Sequence, residues 1–440
     1  MTNLEPRTTF GALIPVLMTT RSFTEALAAP LSEADQSIQS MPDASPTKWH
    51  RAHTTWLFEA FILGPLASDY QPFDEHFNYL FNSYYEAIGD RYPRPRRGMV
   101  SRPGSARIGE YRQAVDQAMV EFLESGDGPD PDTLRPLVEL GIHHEQQHQE
   151  LLLMDIKNML ANNLFDTAYA PRRHQPVGDP GPIGWLRQPG GTIDVGFDPV
   201  SDGGSSFHFD NEGPWHQALV NPHQLADRLI TSGEWLEFMA DGGYEDPQLW
   251  LSDGWYTRLS EEWQAPLYWT AGDKGQWQVH ALTGTRPVDP NEPVCHVSFY
   301  EADAFARWAG ARLPTEFEWE QAAIQNPGQP GGFLADNDPS GPSTVEASAL
   351  HPLGAGPPTG QLRQLFGDCW EWTGSPYRPY PGYQVPEGAV GEYNGKFMIN
   401  TMVTRGGSVL TPPGHIRASY RNFFHPHTRW HLSGVRLARD

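Results

Sequence analysis

The 440-residue chain has only two cysteines, Cys295 and Cys369, far apart in sequence. That scarcity argues against a disulfide-built scaffold and a cysteine-rich zinc site, and it fits a reducing compartment. Long hydrophobic runs are missing too: no stretch reaches the length needed to span a bilayer. The opening "MTNLEPRTTFGALIPVLMTTRSF" lacks the basic start and apolar core of a secretory signal, so a soluble cytoplasmic protein is expected. Positive charge is scarce, with 31 Lys and Arg against 54 Asp and Glu, for a formal net charge of −23. Such a chain repels phosphate backbones, so neither nucleic acid nor membrane is an expected partner. A fixed-period repeat is also absent, which disfavours a propeller or solenoid.

What is present falls into two parts. Residues 1–170 read as helices. "RSFTEALAAPLSEADQSIQ", "SPTKWHRAHTTWLFEAFIL", "IGEYRQAVDQAMVEFLESG" and "LRPLVELGIHHEQQHQELLLMDIKNML" all repeat apolar residues at three-to-four spacing. Ser45 as cap, with Pro46 in the first helical position, opens the second of these; Gly64-Pro65 closes it. A four-helix bundle is the expected arrangement. A Pro/Gly-rich linker, 171–184, follows. Residues 185–440, rich in Gly, Pro and Trp, hold short strand-like runs and brief helices such as "TSGEWLEFMAD", and predict an irregular α+β body.

One helix deserves projection. At about 100° per residue, His148 falls about 40° from His144, one turn along. Leu137, Leu151 and Asp155 lie within roughly 20° of the same line, so both histidines belong to the stripe that faces the bundle interior. Glu150 points nearly opposite His148 and cannot complete a site from this helix. In "SPTKWHRAHTTWLFEAF", Trp49, His53, Trp56 and Ala60 share a face with His53 at its centre and His50 at its flank. A single inward histidine is ordinarily a hydrogen-bonded core residue. Two at i and i+4 with a third on a facing helix favour a metal site, and inward ligands from bundle helices are a recurrent way to build one. Three neutral nitrogens suit zinc, iron, copper or nickel, and spacing does not choose among them.

These residues resemble a known pattern. "WHRAH" and "HHEQQHQE" are similar to the DinB-like domain. "FHFDNEGPWH", "PVCHVSFYEADAFARWAGARLPTEFEWEQAA", "LFGDCWEWTGSPYRPYPGY" and "RGGSVL…IRASYRNFF…GVRL" resemble the formylglycine-generating-enzyme, C-type-lectin-like fold. The order of the two, over nearly the whole chain, resembles the ergothioneine-pathway sulfoxide synthases. Those are iron(II) enzymes that use O₂ to join a thiol to C2 of the imidazole of hercynine (Nα-trimethylhistidine). The resemblance implies His53, His144 and His148 as iron ligands. Gln147, Tyr380, Asn422 and Phe423 would line the hercynine pocket, Gln147 reaching the carboxylate. Formylglycine chemistry itself is disfavoured, because "IRASYRNFF" lacks the cysteines it needs; Cys369 reads as a packing thiol.

Family members take their proton or hydrogen-atom donor either from a tandem tyrosine pair in the first domain or from a tyrosine in the second. Here Tyr84 and Tyr85 in "NSYYEAIGDRY" stand ahead of Tyr377. Relatives that use γ-glutamylcysteine carry an acidic residue and an arginine where this chain has Phe424 and Thr428, a departure that favours cysteine. Among "RYPRPRRGMVSRPG", Arg91, Arg94, Arg96 and Arg97 are candidates for the thiol substrate's carboxylate. Lectin-like folds of this kind often carry a structural calcium ion, whose ligands the sequence does not identify. Three rivals remain: a zinc hydrolase or thiol transferase on the bundle, a non-catalytic lectin-like binder, and a relative handling selenium or sulfide.

Overall fold

The computed structural model describes residues 10–126, 128–172, 178–200, 207–326, 332–334 and 348–440. It separates into two compact units. Of the described residues, the first holds those up to Leu164 and the segment Glu387–Tyr393, and the second holds the others. The change of unit therefore falls before the 171–184 stretch.

Four long helices, α1 (Leu13–Ala28), α2 (Thr47–Phe58), α3 (Ser105–Ser125) and α4 (Pro131–Ala161), make the bundle, with α2 packed against both α3 and α4, and α1 against α4. The first helix departs from the sequence pattern. It starts ahead of Arg21 and stops at Ala28; Ala29 still has helical backbone, but Pro30 has no amide with which to continue the ladder. Only a 3₁₀ turn, Asp35–Ser37, remains of the expected continuation. Nor does Gly64-Pro65 end the second helix: a π-helical turn, Glu59–Leu63, carries it into a last turn at Gly64–Leu66.

α4 starts where its sequence says it should. Asp130 accepts from the amides of Asp132 and Thr133, and Pro131 fills the first helical position, where no amide is needed. Gly141 faces α2, where a Cβ would lie 2.4 Å from the Phe58 ring. One turn further along sits His144, so the missing side chain at 141 brings the histidine stripe against α2.

In the second unit the helices are short, and three begin with the same device. Thr231/Glu234, Ser298/Glu301 and Thr315/Glu318 are capping boxes, each hydroxyl serving the third residue's amide and each glutamate reaching back. The largest sheet has four strands in the order Asn422–Phe424, Met402–Arg405, Trp370–Pro376 and Ser433–Gly434, the last pair parallel. Its core is aromatic, with Trp235, Phe238, Phe305 and Trp372 fully buried. Cys295 and Cys369 form no disulfide among the described residues and are buried beside Leu229. Among the described residues no helix is long and apolar enough to cross a membrane.

His431, fully buried in this unit, stacks on Phe424 at 3.9 Å and hydrogen-bonds through neither ring nitrogen. Burial pushes its pKa down to about 3. The unfolded chain, with an ordinary histidine near 6.5, takes up that proton first, so acid favours unfolding. Stability should be full above about pH 6.5 and fall by up to about 1.4 kcal/mol per pH unit below it. Denaturant midpoints across this range, compared with a His431→Leu variant, check this. The variant's acid limb should be flatter; an unchanged limb would contradict it.

Candidate metal centre

α2 and α4 bring three imidazoles together. His53, His144 and His148 each offer a ring nitrogen, all within 4.8 Å of one another. Their ring centroids lie 4.9 Å (His53–His144), 4.7 Å (His53–His148) and 4.5 Å (His144–His148) apart. Among the described residues, this is the one cluster of three or more His, Cys, Asp or Glu side chains with that closeness.

All three rings stay neutral. Burial pushes His144 down to about 3, and holds His53 and His148 well below the ordinary range, the neighbouring imidazoles adding to the effect. A neutral imidazole has a lone pair to give, which is what a metal requires. The hydrogen bonds assign which nitrogen gives it. His53 Nδ1–H donates to the Phe81 carbonyl at 2.6 Å, and its Nε2 is buried with no partner. Among the described residues His144 has a hydrogen-bond partner at neither nitrogen. Unpaired buried polar atoms cost stability, and such a nitrogen on each of His53 and His144, beside His148, fits a cation.

Helical projection missed the support behind them. His50, expected only at the flank, is buried and lies with Nδ1 2.8 Å from His148 Nδ1. Its Nε2 is 2.9 Å from Asp155 Oδ2, and the same oxygen accepts from the Ser45 amide at 2.8 Å. Ser45 therefore does not cap α2; Pro46 occupies the cap position, and the Ser45 hydroxyl accepts from Arg97 at 2.9 Å.

Arg97 stands apart from the other arginines of its run. Arg91 pairs with Glu86 at the surface, and Arg94 donates to the Asp43 carbonyl. Arg97 is 2% exposed, stacks 3.3 Å above the Trp49 ring and donates to the hydroxyls of Ser45 and Ser83, while its Nε has no partner. Among the described residues no carboxylate pairs with it. Burial, with Arg94 nearby, pulls its pKa down, so its charge is held at a cost.

The tandem tyrosines stack at 4.5 Å, with the Tyr85 hydroxyl 3.4 Å from that of Tyr84. Tyr85 is fully buried and packs on Trp56, which in turn stacks on His53. Burial and the neighbouring Tyr84 and Tyr393 push its pKa up, so it keeps its proton at neutral pH. Tyr393 was not legible in the sequence. Its hydroxyl donates to Gln147 Oε1, and its ring lies 5.7 Å from that of His144. Beside it, the Glu392 carboxylate accepts from the amides of Glu86 and Ala87, just past the tyrosine pair.

The remaining expected residues belong to the second unit. Tyr377 stacks on Phe423 at 4.1 Å, and its buried hydroxyl accepts from Asn211 at 2.9 Å. The Tyr380 hydroxyl accepts from Arg405 at 3.1 Å, within a buried network that includes Glu316 and Arg421. The Asn422 side chain accepts from the Phe423 amide, and Phe424 stacks on His431.

Residues 184–440 match the sulfatase-modifying factor enzyme 1-like domain, and residues 17–152 match the DinB superfamily. Over 93% of this chain and 94% of its own length, the hercynine oxygenase of Mycolicibacterium smegmatis is 33% identical. The chain belongs to the hercynine oxygenase family. The hercynine oxygenases of Mycobacterium tuberculosis and Mycolicibacterium thermoresistibile are each 31% identical over 93% of this chain, covering 94% and 90% of their own lengths. Both halves of this hercynine oxygenase relative are thus matched in the order the sequence suggested.

Proposed function

We propose that the chain is an iron(II)- and O₂-dependent sulfoxide synthase of ergothioneine biosynthesis, joining cysteine to C2 of the hercynine imidazole. The observation that carries this is the cluster of three neutral imidazoles, His53 and His144 buried and His148 half-buried, two of them with nitrogens that have no partner among the described residues, in a chain of this family. His53, His144 and His148 would hold the metal. When bound, iron(II) supplies open positions for sulfur and O₂ and the electrons to activate O₂.

The chain's own residues supply orientation and protons. Gln147, whose Oε1 accepts from the Tyr393 hydroxyl, would reach the hercynine carboxylate. Tyr85, which donates to the Tyr84 hydroxyl and packs through Trp56 on His53, would with Tyr84 be the proton donor ahead of Tyr377. Of the four arginines, Arg97 is the one buried without a carboxylate, and it would take that of the thiol substrate. Phe424 and Thr428 offer no charge for a γ-glutamyl group, which supports cysteine over γ-glutamylcysteine.

The test is anaerobic reconstitution with iron(II), followed by O₂-electrode assays with hercynine and either thiol, the product identified by mass spectrometry. Oxygen uptake with formation of the cysteine sulfoxide conjugate is expected. Turnover without oxygen uptake would overturn the reading in favour of a zinc hydrolase or thiol transferase.

A further inference from the structure

The three ligand histidines differ in what stands behind them. His53 has a backbone carbonyl, His144 has no hydrogen-bond partner among the described residues, and His148 has a second imidazole backed by a carboxylate. That last chain runs Asp155 Oδ2, His50 Nε2, His50 Nδ1, His148 Nδ1, with contacts of 2.9 and 2.8 Å, and all three side chains belong to α2 and α4.

The proton positions follow from the acceptors. Asp155 Oδ2 is fixed as an acceptor by the Ser45 amide at 2.8 Å, so His50 must carry hydrogen on Nε2 to face it. If His50 is singly protonated, its Nδ1 is then a lone pair. His148 must donate Nδ1–H to it, which leaves His148 Nε2 bare. The other His148 tautomer, with its hydrogen on Nε2, would leave the two facing Nδ1 atoms with no hydrogen between them and would block Nε2 for a metal.

We propose that Asp155 and His50 are positioning residues that lock His148 in its Nε2-ligating tautomer and pass carboxylate charge towards the metal, making His148 the strongest donor of the three. Partners behind a ligand commonly raise its basicity, and their loss costs roughly 10–100-fold in metal affinity. The inference rests on the cluster being a metal site, but not on which reaction it serves.

Cobalt(II) titration of the apoprotein, followed by visible absorption and calorimetry, separates the two questions. Three variants are compared with the parent: His50→Phe, His50→Gln and Asp155→Asn. His50→Phe leaves His148 Nδ1–H without an acceptor, and its cobalt affinity should fall roughly 10–100-fold. His50→Gln restores an acceptor through its amide oxygen, so part of that loss should be recovered. Asp155→Asn keeps the shape and removes the charge; after iron loading, it should raise the Fe(III)/Fe(II) midpoint potential, as should His50→Gln. Parent protein that binds no cobalt would sink the metal reading itself. Parent-like affinity in His50→Phe, or an unchanged potential in both other variants, would sink the relay while leaving the metal site intact.

Discussion

A His144→Leu variant should lose metal binding while its metal-free form stays as stable as the parent or becomes more so. The two signs come from one observation: both ring nitrogens of His144 are buried without a partner. Replacing an unsatisfied polar ring by an apolar side chain removes that penalty and keeps much of the packing. Taking one ligand from a three-nitrogen set should cost about 3 kcal/mol of metal affinity, roughly a hundredfold, if the stabilisation of a structural zinc site is shared among its ligands. Thermal midpoints with and without added metal check both halves, because a ligand that binds only the folded state raises the midpoint. A histidine kept for core packing would behave the other way, lowering the metal-free midpoint and leaving the response to metal untouched.

Glu145→Gln should destabilise the bundle by about 3–5 kcal/mol, the cost of breaking a buried ion pair from one side. Glu145 is fully buried one residue past His144, accepting from Arg21 and Arg112 at 2.8 Å each and from Thr24 at 2.6 Å. Burial alone would push its pKa up, but the two guanidiniums pull it down to about 2. Both arginines are themselves buried, so a neutral amide leaves their charge under-compensated. Chemical denaturation at neutral pH reads the effect as a lower midpoint at an unchanged slope. A change under about 1 kcal/mol would mean that the network is as weak as a surface one.

The parts of this account that were legible in the sequence are those set by local periodicity. The i, i+4 pair of His144 and His148 and the centring of His53 follow from helical spacing. His50 and Asp155 lay outside that reach. Each was placed on its own helix, but their contact depends on how α2 is rotated against α4, which periodicity within one helix does not fix. Gly141 offered a hint, as a glycine in mid-helix usually has a packing reason. Tyr393 lies 246 residues from Gln147, so only the fold brings it there. The four arginines of the 91–97 run look alike in composition, and burial alone singles out Arg97. Pro30 was read through rather than as a break, which is why the first helix was misplaced.

X-ray absorption of the anaerobically iron(II)-loaded protein is the most direct test of the central claim. Three imidazole ligands to a single iron are expected, with one signal lost in each of the single variants at 53, 144 and 148. An iron bound by fewer imidazoles, or one whose spectrum survives replacement of all three histidines, would contradict it.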